Sequence, residues 1–444
     1  MDRRKFINAS GLTLGAATIL PSLLTGKETA YAKNPGNPSQ LSESATWSWV
    51  REQFELDHSQ IQMAQMLLAS HPKPVNDAIE KHRKAYNRSP AMYWEEHFMT
   101  AEKVVTKAAG AYMNVDPEEI ALTDSTTMGT SLLFNGMKLK PGDEVIQTTH
   151  DHYVTDKSVE FACEKSGASF KRVEEYTDPR TVSAEEVTEK LRSAITDNTR
   201  VVMVTWVHSC TGVKLPIRDI AEMIAEVNQT RSPDDRIYFA VDGVHGFGNQ
   251  DEDISSLGCD FFSAGTHKWI FGPRGTGILY GKKSAWDFVR PTIPAFSQYA
   301  YETWLGFDST AEPTFNEIMS PGGFHAFDHR WALNTAFDFQ MELGRDRVHQ
   351  RTTELSSRLK DGLKEISKAD LITPTDPELS AGINCFTIKG MSPSELVKKL
   401  HEHQVIASES PYRVSYTRLT PCVINTEEEV DISIEKIAEI ARKV

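Results

Sequence analysis

The sequence predicts an α/β fold: a large domain on a mainly parallel seven-stranded sheet between helices, followed by a smaller C-terminal α+β domain. Three observations predict it. Seven short apolar runs fall between Pro117 and Lys283, amphipathic helical stretches separate several of them, and beyond about Asn334 long helices dominate. Strand–helix alternation of this kind buries a parallel sheet on both faces. The divisions expected are an export signal (1–32), an N-terminal segment (33–70), a large domain (71–333), and a linking helix with the small domain (334–444).

Taken in chain order, residues 33–43 are rich in Pro, Asn and Ser and read as an extended leader. Ala45 to Ala69 reads as helical. The strands are EEIALT (118–123), DEVIQTT (143–149), ASFKRVE (168–174), RVVMVTWV (200–207), RIYFAVD (236–242), CDFFSAG (259–265) and TGILYG (276–281). Each is a short run rich in β-branched or aromatic residues. Between them, AEEVTEKLRSAI (184–195) and IRDIAEMIAEVNQ (217–229) repeat apolar residues at helical spacing.

The 444 residues, 39% hydrophobic and 25% charged, exclude a disordered chain and a polytopic membrane protein. A net charge of −14 argues against nucleic acid or an anionic membrane as the main partner, since both require a basic footprint. Five scattered cysteines form neither a disulfide framework nor a C-x-x-C zinc pair. The first residues read as an address: Arg3-Arg4, a modest apolar run from Gly11 to Leu24 broken by Gly15 and Pro21, then Ala30-Tyr31-Ala32. This twin-arginine pattern implies export of the folded protein to the periplasm, with Lys33 as the mature start. Cleavage removes four basic and two acidic residues and moves the charge from −14 to −16.

In an open α/β sheet ligands bind at the carboxyl ends of the strands. RIYFAVD ends in Asp242-Gly243-Val244-His245, and CDFFSAG is followed by Thr266-His267-Lys268-Trp269 and a glycine-rich turn. Lys268 sits in an apolar window, and burial would lower its pKa and make it a usable nucleophile. The plainer alternatives are a solvated lysine or a structural Asp–Lys pair. EEIALT is followed by Asp124-Ser125-Thr126-Thr127-Met128-Gly129-Thr130-Ser131, more hydroxyls than a helix cap needs and suited to an anion at a helix N-terminus. DEVIQTT ends in His150-Asp151-His152-Tyr153. Alternate histidines could hold a metal, but no third ligand is identifiable, and an aromatic platform under a planar cofactor is preferred.

A phosphate cup, a carboxylate, a lysine and an aromatic platform together describe a pyridoxal-phosphate site. The stretch THKWIFGPRGTGILYGK (266–282), with AVDGVHG, resembles aminotransferase class V, a fold-type-I pyridoxal-phosphate family. HKW rather than HKL leans toward its isopenicillin N epimerase-like branch, and the twin-arginine address resembles that of the family's periplasmic pyoverdine-tailoring member. The resemblance implies the following roles. Lys268 is the Schiff-base lysine and His267 a phosphate ligand. Asp242 pairs with the pyridine nitrogen, and His245 lies near the phenolic oxygen. Thr126 and Thr127 belong to the phosphate cup, and His152 stacks on the ring, with Tyr153 as its rival. Ser209 stands where desulfurases carry asparagine. Arg418, in Arg418-Leu419-Thr420-Pro421 with Asn425-Thr426 following, anchors the substrate carboxylate, with Arg413 as the competing choice.

Two departures bear on function. The stretch SESPYRVSYTRLTP lacks the cysteine that desulfurases carry before their arginine. Gly265 stands where a phosphate-binding serine is common, leaving Ser263 or Thr266 as substitutes. The expectation is an exported enzyme acting at the α-carbon of an amino-acid, peptide or siderophore amine, by transamination or epimerisation. A C–S lyase is the alternative, and a non-catalytic binding protein the alternative of another class. A nicotinamide dehydrogenase is disfavoured, because no G-x-G-x-x-G follows the first strand. The resemblance further implies a homodimer, with SPGGFHAF (320–327) reaching the partner's phosphate, and the twin-arginine translocase as a transient partner.

Overall fold

The computed structural model describes residues 42–307 and 312–444; the expected signal, and the leader up to residue 41, lie outside the described residues. The helix expected over Ala45–Ala69 is much shorter, Glu43–Glu52. The following segment turns instead, with the Asp57 carboxylate accepting from the Ser59 N–H at 3.0 Å. Such local bonds offer the backbone an alternative to the helix. The chain then extends as β1 (Ile61–Gln62).

All seven apolar runs become strands of one sheet. They are β2 (Ile120–Thr123), β3 (Glu144–Thr148), β4 (Ser169–Val173), β5 (Thr199–Thr205), β6 (Tyr238–Asp242), β7 (Phe261–Gly265) and β8 (Gly277–Gly281). The order is β2-β8-β7-β6-β5-β3-β4. Every pairing is parallel except the two made by β8. Strands β6, β7 and β8 are buried at every position, which is why their sequences are continuously apolar rather than alternating. Helices Ala184–Ala194 and Ile217–Asn228 fall where their periodicity places them. Separate apolar layers pack on the two faces, one around Trp206 and Phe262, the other around Phe134 and Phe261.

After helices Leu333–Leu343 and Arg345–Lys364 comes a second, smaller sheet. Its strands are β9 (Ala369–Leu371), β10 (Asn384–Ile388), β12 (Ser408–Glu409) and β13 (Thr417–Leu419), all antiparallel in the order β12-β13-β10-β9. Strand β11 (Val405–Ile406) pairs instead with β1, in parallel, Ile61 opposite Val405. The N-terminal segment is therefore stitched to the small domain, a link reinforced by Arg51 bridging to Glu429 at 2.5 Å. Among the described residues, no helix is long and apolar enough to cross a membrane.

Candidate active site

Parallel strands deliver their carboxyl ends to one edge of the sheet, and the unusual residues collect there. Beyond β2, Ser125 caps the helix Thr126–Gly136, its hydroxyl accepting from the Met128 N–H at 3.1 Å. The first N–H groups of that helix have no partner within it, and its dipole favours an anion. Thr126 Oγ1 accepts from the Gly265 N–H at 2.7 Å, tying this cup to the end of β7. A Cβ on Gly265 would lie 2.9 Å from the His267 ring and 3.2 Å from Thr126 Oγ1, so a serine has no room there without rearrangement. The two substitute hydroxyls are spent elsewhere. Ser263 donates to the Thr126 carbonyl at 3.5 Å, and Thr266 pairs with Thr276 at 2.5 Å. Thr127 is exposed at the rim. Burial, then Lys268 and Arg274, lower the His267 pKa to about 4, so its ring is neutral at pH 7. The cup thus offers N–H and O–H donors, a set that fits a phosphate.

Asp242 closes β6 and is buried; its Oδ1 accepts from the Val244 N–H at 3.1 Å and its Oδ2 from Thr155 at 3.4 Å. Burial raises its pKa to about 6, against the Val244 N–H, Lys268 and Thr155, so it is largely ionised at pH 7. Lys268 stands on the turn after β7. That turn is closed by Phe271 N–H to Lys268 O at 3.1 Å and Gly272 N–H to Thr266 O at 2.8 Å. It holds Phe271 at a φ of 59°, a conformation unfavourable for a bulky residue. Burial brings the Lys268 pKa down to about 8, with Asp242 opposing and Arg418 assisting. Its Nζ lies 3.2 Å from His245 Nε2, while the Trp269 indole donates to His245 Nδ1 at 3.4 Å.

His152 caps the helix Tyr153–Ser166, its Nδ1 accepting from the Val154 N–H. Burial, followed by Lys268 and Arg418, lowers its pKa. Tyr153, its rival, is turned to solvent. Arg418 on β13 is buried; it donates from Nε to Ser408 Oγ (3.2 Å), from Nη1 to Ser209 O (2.9 Å) and from Nη2 to Glu409 O (2.7 Å). A guanidinium has five N–H donors, so two remain for a carboxylate. Arg413 is exposed, and the structure sets it apart from this group. Ser209 also pairs through its hydroxyl with Tyr412 at 2.8 Å.

His150 and His152 do not share a face. Strand β3 ends at Thr148, and the turn beyond it sends His150 the other way, stacked on Tyr176 at 4.4 Å. There His150, Glu175 and His208 form the one group, among the described residues, whose ligand atoms lie close enough to hold a metal ion. His150 Nδ1 is 2.6 Å from Glu175 Oε1. Two ligands of one tetrahedral zinc stand about 3.3 Å apart, given bonds of about 2.0–2.1 Å. The spacing is that of a hydrogen bond. Burial would raise the Glu175 pKa, but His150 and the field of His208 hold it below its usual value.

Residues 320–327 run beside the chain's own cup, with His325 3.6 Å from Asp124 and Phe324 projecting into solvent. Sequence reasoning passed over Thr155, and it met Trp269 only as part of HKW and Tyr412 only within SESPYRVSYTRLTP; the contacts of these three with Asp242, His245 and Ser209 were not anticipated.

Comparison with known proteins accords with this geometry. The profile of the aminotransferase class-V family matches residues 69–431. Isopenicillin N epimerase of Streptomyces clavuligerus is 26% identical over 358 residues, covering 77% of this chain and 83% of the relative. A probable cysteine desulfurase of Pyrococcus abyssi is 22% identical over 366 residues, covering 80% and 86%. Among solved structures, a mutant of C-DES with glycine covalently linked to the PLP cofactor superposes with a TM-score of 0.77. It is 20% identical, and the match covers 88% of this chain and 99% of that one. With most of its length matched, a mainly parallel sheet carrying a cup of N–H and O–H donors, and a buried lysine near a buried aspartate, the chain belongs to the aminotransferase class-V family of pyridoxal-phosphate-dependent enzymes.

Proposed function

We propose that this enzyme labilises a bond at the α-carbon of a substrate bearing both an amine and a carboxylate, with transamination or epimerisation as the outcome. The observation that carries this reading is Arg418, buried within electrostatic reach of Lys268 and keeping two donors beyond those it spends on the protein. Pyridoxal phosphate, when bound, supplies an electron sink for the α-carbon. Thr126, Thr127 and His267 would hold its phosphate, His152 would stack on its ring, and the Asp242 carboxylate would keep its nitrogen protonated. Lys268 Nζ is the group suited to move the α-proton, with a pKa near the working pH. Arg418 fixes the substrate carboxylate.

The thiols weigh against desulfuration through an enzyme-bound sulfur. All five cysteines are buried, and burial raises each thiol pKa. The loop before Arg418 presents Tyr412 to the site instead. C–S lyase chemistry releases its sulfur in the product and needs no enzyme thiol, so it stands as the second reading. Incubating holoenzyme with amino acids in D2O separates the outcomes. Epimerisation places deuterium at an inverted α-carbon. Transamination yields one equivalent of keto acid and then stalls until a keto acceptor is added. C–S cleavage of cysteine or cystine releases reduced sulfur. A panel of amino acids giving none of these would overturn the proposal.

Export and dimerisation belong to the same proposal. Arg3-Arg4 and the Ala30-Tyr31-Ala32 site support folded export to the periplasm. Lysine at both arginine positions should strand active enzyme in the cytoplasm; unchanged periplasmic activity would refute this. Phe324 and Trp304, 79% and 76% exposed, suit coverage by a second copy. A fully active monomer by light scattering would refute the dimer.

A further inference from the structure

His245 is buried, and both of its ring nitrogens are engaged: Nδ1 with the Trp269 indole at 3.4 Å, Nε2 with Lys268 Nζ at 3.2 Å. An indole nitrogen can only donate. Nδ1 must therefore carry a lone pair, and the single proton of a neutral imidazole sits on Nε2. That N–H points at Lys268. An ammonium has no acceptor and would set hydrogen against hydrogen, whereas the free amine offers a lone pair.

We propose that Trp269 is a positioning residue for the active-site lysine: its indole N–H locks His245 as the Nε2–H tautomer, which donates to Lys268 and favours the free amine over the ammonium.

A doubly protonated ring is disfavoured twice over. The indole already occupies Nδ1, and burial together with the Arg418 guanidinium opposes a second charge on His245. The opposite arrangement, with Nδ1–H and a lysine ammonium donating to Nε2, would leave the buried indole N–H facing another N–H. A buried donor without an acceptor is costly. At Lys268 itself Asp242 favours the ammonium, while burial and Arg418 oppose it, so the tautomer lock adds to the side that releases the proton. Only the free amine has the lone pair with which a lysine attacks an aldehyde carbon, forming the C=N bond with loss of one water. The residue following the lysine in the HKW segment thus influences how readily the enzyme takes up its cofactor near neutral pH. The proposal rests on Lys268 being the cofactor lysine.

The tautomer can be read directly in the unsubstituted protein, a variant serving only to assign the signals. In full-length apoenzyme carrying 15N-histidine, the His245 signals, assigned by their loss in His245→Gln, should show the proton on Nε2 and a bare Nδ1 at pH 7. A proton on Nδ1 overturns the proposal. Trp269→Phe keeps an aromatic ring but removes the donor. The pH midpoint of its pyridoxal-phosphate uptake, followed by absorbance, should rise by about one unit, and uptake at pH 7 should slow about tenfold. Folded Trp269→Phe with an unchanged uptake profile overturns it as well. Should borohydride reduction and peptide mapping place the cofactor on another lysine, the Lys268 assignment fails while the tautomer measurement stands by itself.

Discussion

Replacing Arg418 by lysine tests the carboxylate anchor, because the structure shows how its donors are divided. Three of its five N–H groups are committed to Ser408 Oγ, Ser209 O and Glu409 O. The remaining two can meet a carboxylate side by side. A lysine has three donors at one point. If it serves the protein it has nothing left for substrate, and if it turns to substrate it abandons buried carbonyls. Charge-assisted hydrogen bonds contribute about 1.5–3 kcal/mol each, so the pair is worth about 3–6 kcal/mol; the positive charge that lysine keeps near the carboxylate offsets about 1–2 of this, leaving a loss of about 2–4 kcal/mol. At 1.4 kcal/mol per decade, KM for an amino-acid substrate should rise about 30- to 1000-fold. The assay is steady-state kinetics, alongside binding of the substrate's des-amino carboxylate, which should weaken in parallel. The cofactor absorbance of the variant should stay as in the parent. Arg413→Lys, at an exposed position, is the control and should change little. An unaltered KM in Arg418→Lys, or the phenotype appearing in Arg413→Lys instead, would refute the assignment.

Two further outcomes follow from buried groups. Asp242→Asn keeps the shape of the side chain but removes its charge; it should retain cofactor by absorbance yet lose about 100- to 1000-fold in kcat, as for one preorganised electrostatic contact, and a near-parental kcat would refute the pairing. His208 is fully buried, and burial lowers its pKa to about 3, so the folded protein refuses a proton that the unfolded chain accepts below about 6.5. Its contribution is therefore complete above pH 6.5 and lost as pH falls toward 3, amounting to about 2 kcal/mol by pH 5. Urea unfolding at pH 7.5 and 5.0 should show a stability difference smaller by about that amount in His208→Gln; an equal difference in both proteins would refute the reasoning.

The sequence by itself determined the large sheet and the ends of its strands. Strands buried on both faces must be continuously apolar, so runs such as YFAV before Asp242 and FFSA before Gly265 announce themselves, and the polar residues that follow them stand out. Asp242, Lys268 and the Ser125–Thr127 cup were legible for that reason. The short helix Glu43–Glu52 and the pairing of β1 with β11 were not, because the partner strand lies more than 340 residues further along the chain. Tertiary structure alone decided which side chains meet. It turned His150 to Glu175 and His152 toward the lysine, spent Ser263 and Thr266 on local bonds, and exposed Arg413 while burying Arg418. It also brought Trp269 to His245 and Tyr412 to Ser209. Periodicity in a sequence records which face of an element is buried; the direction of a polar side chain beyond a strand end is set by what other elements bring to it, and that information resides in contacts distant along the chain.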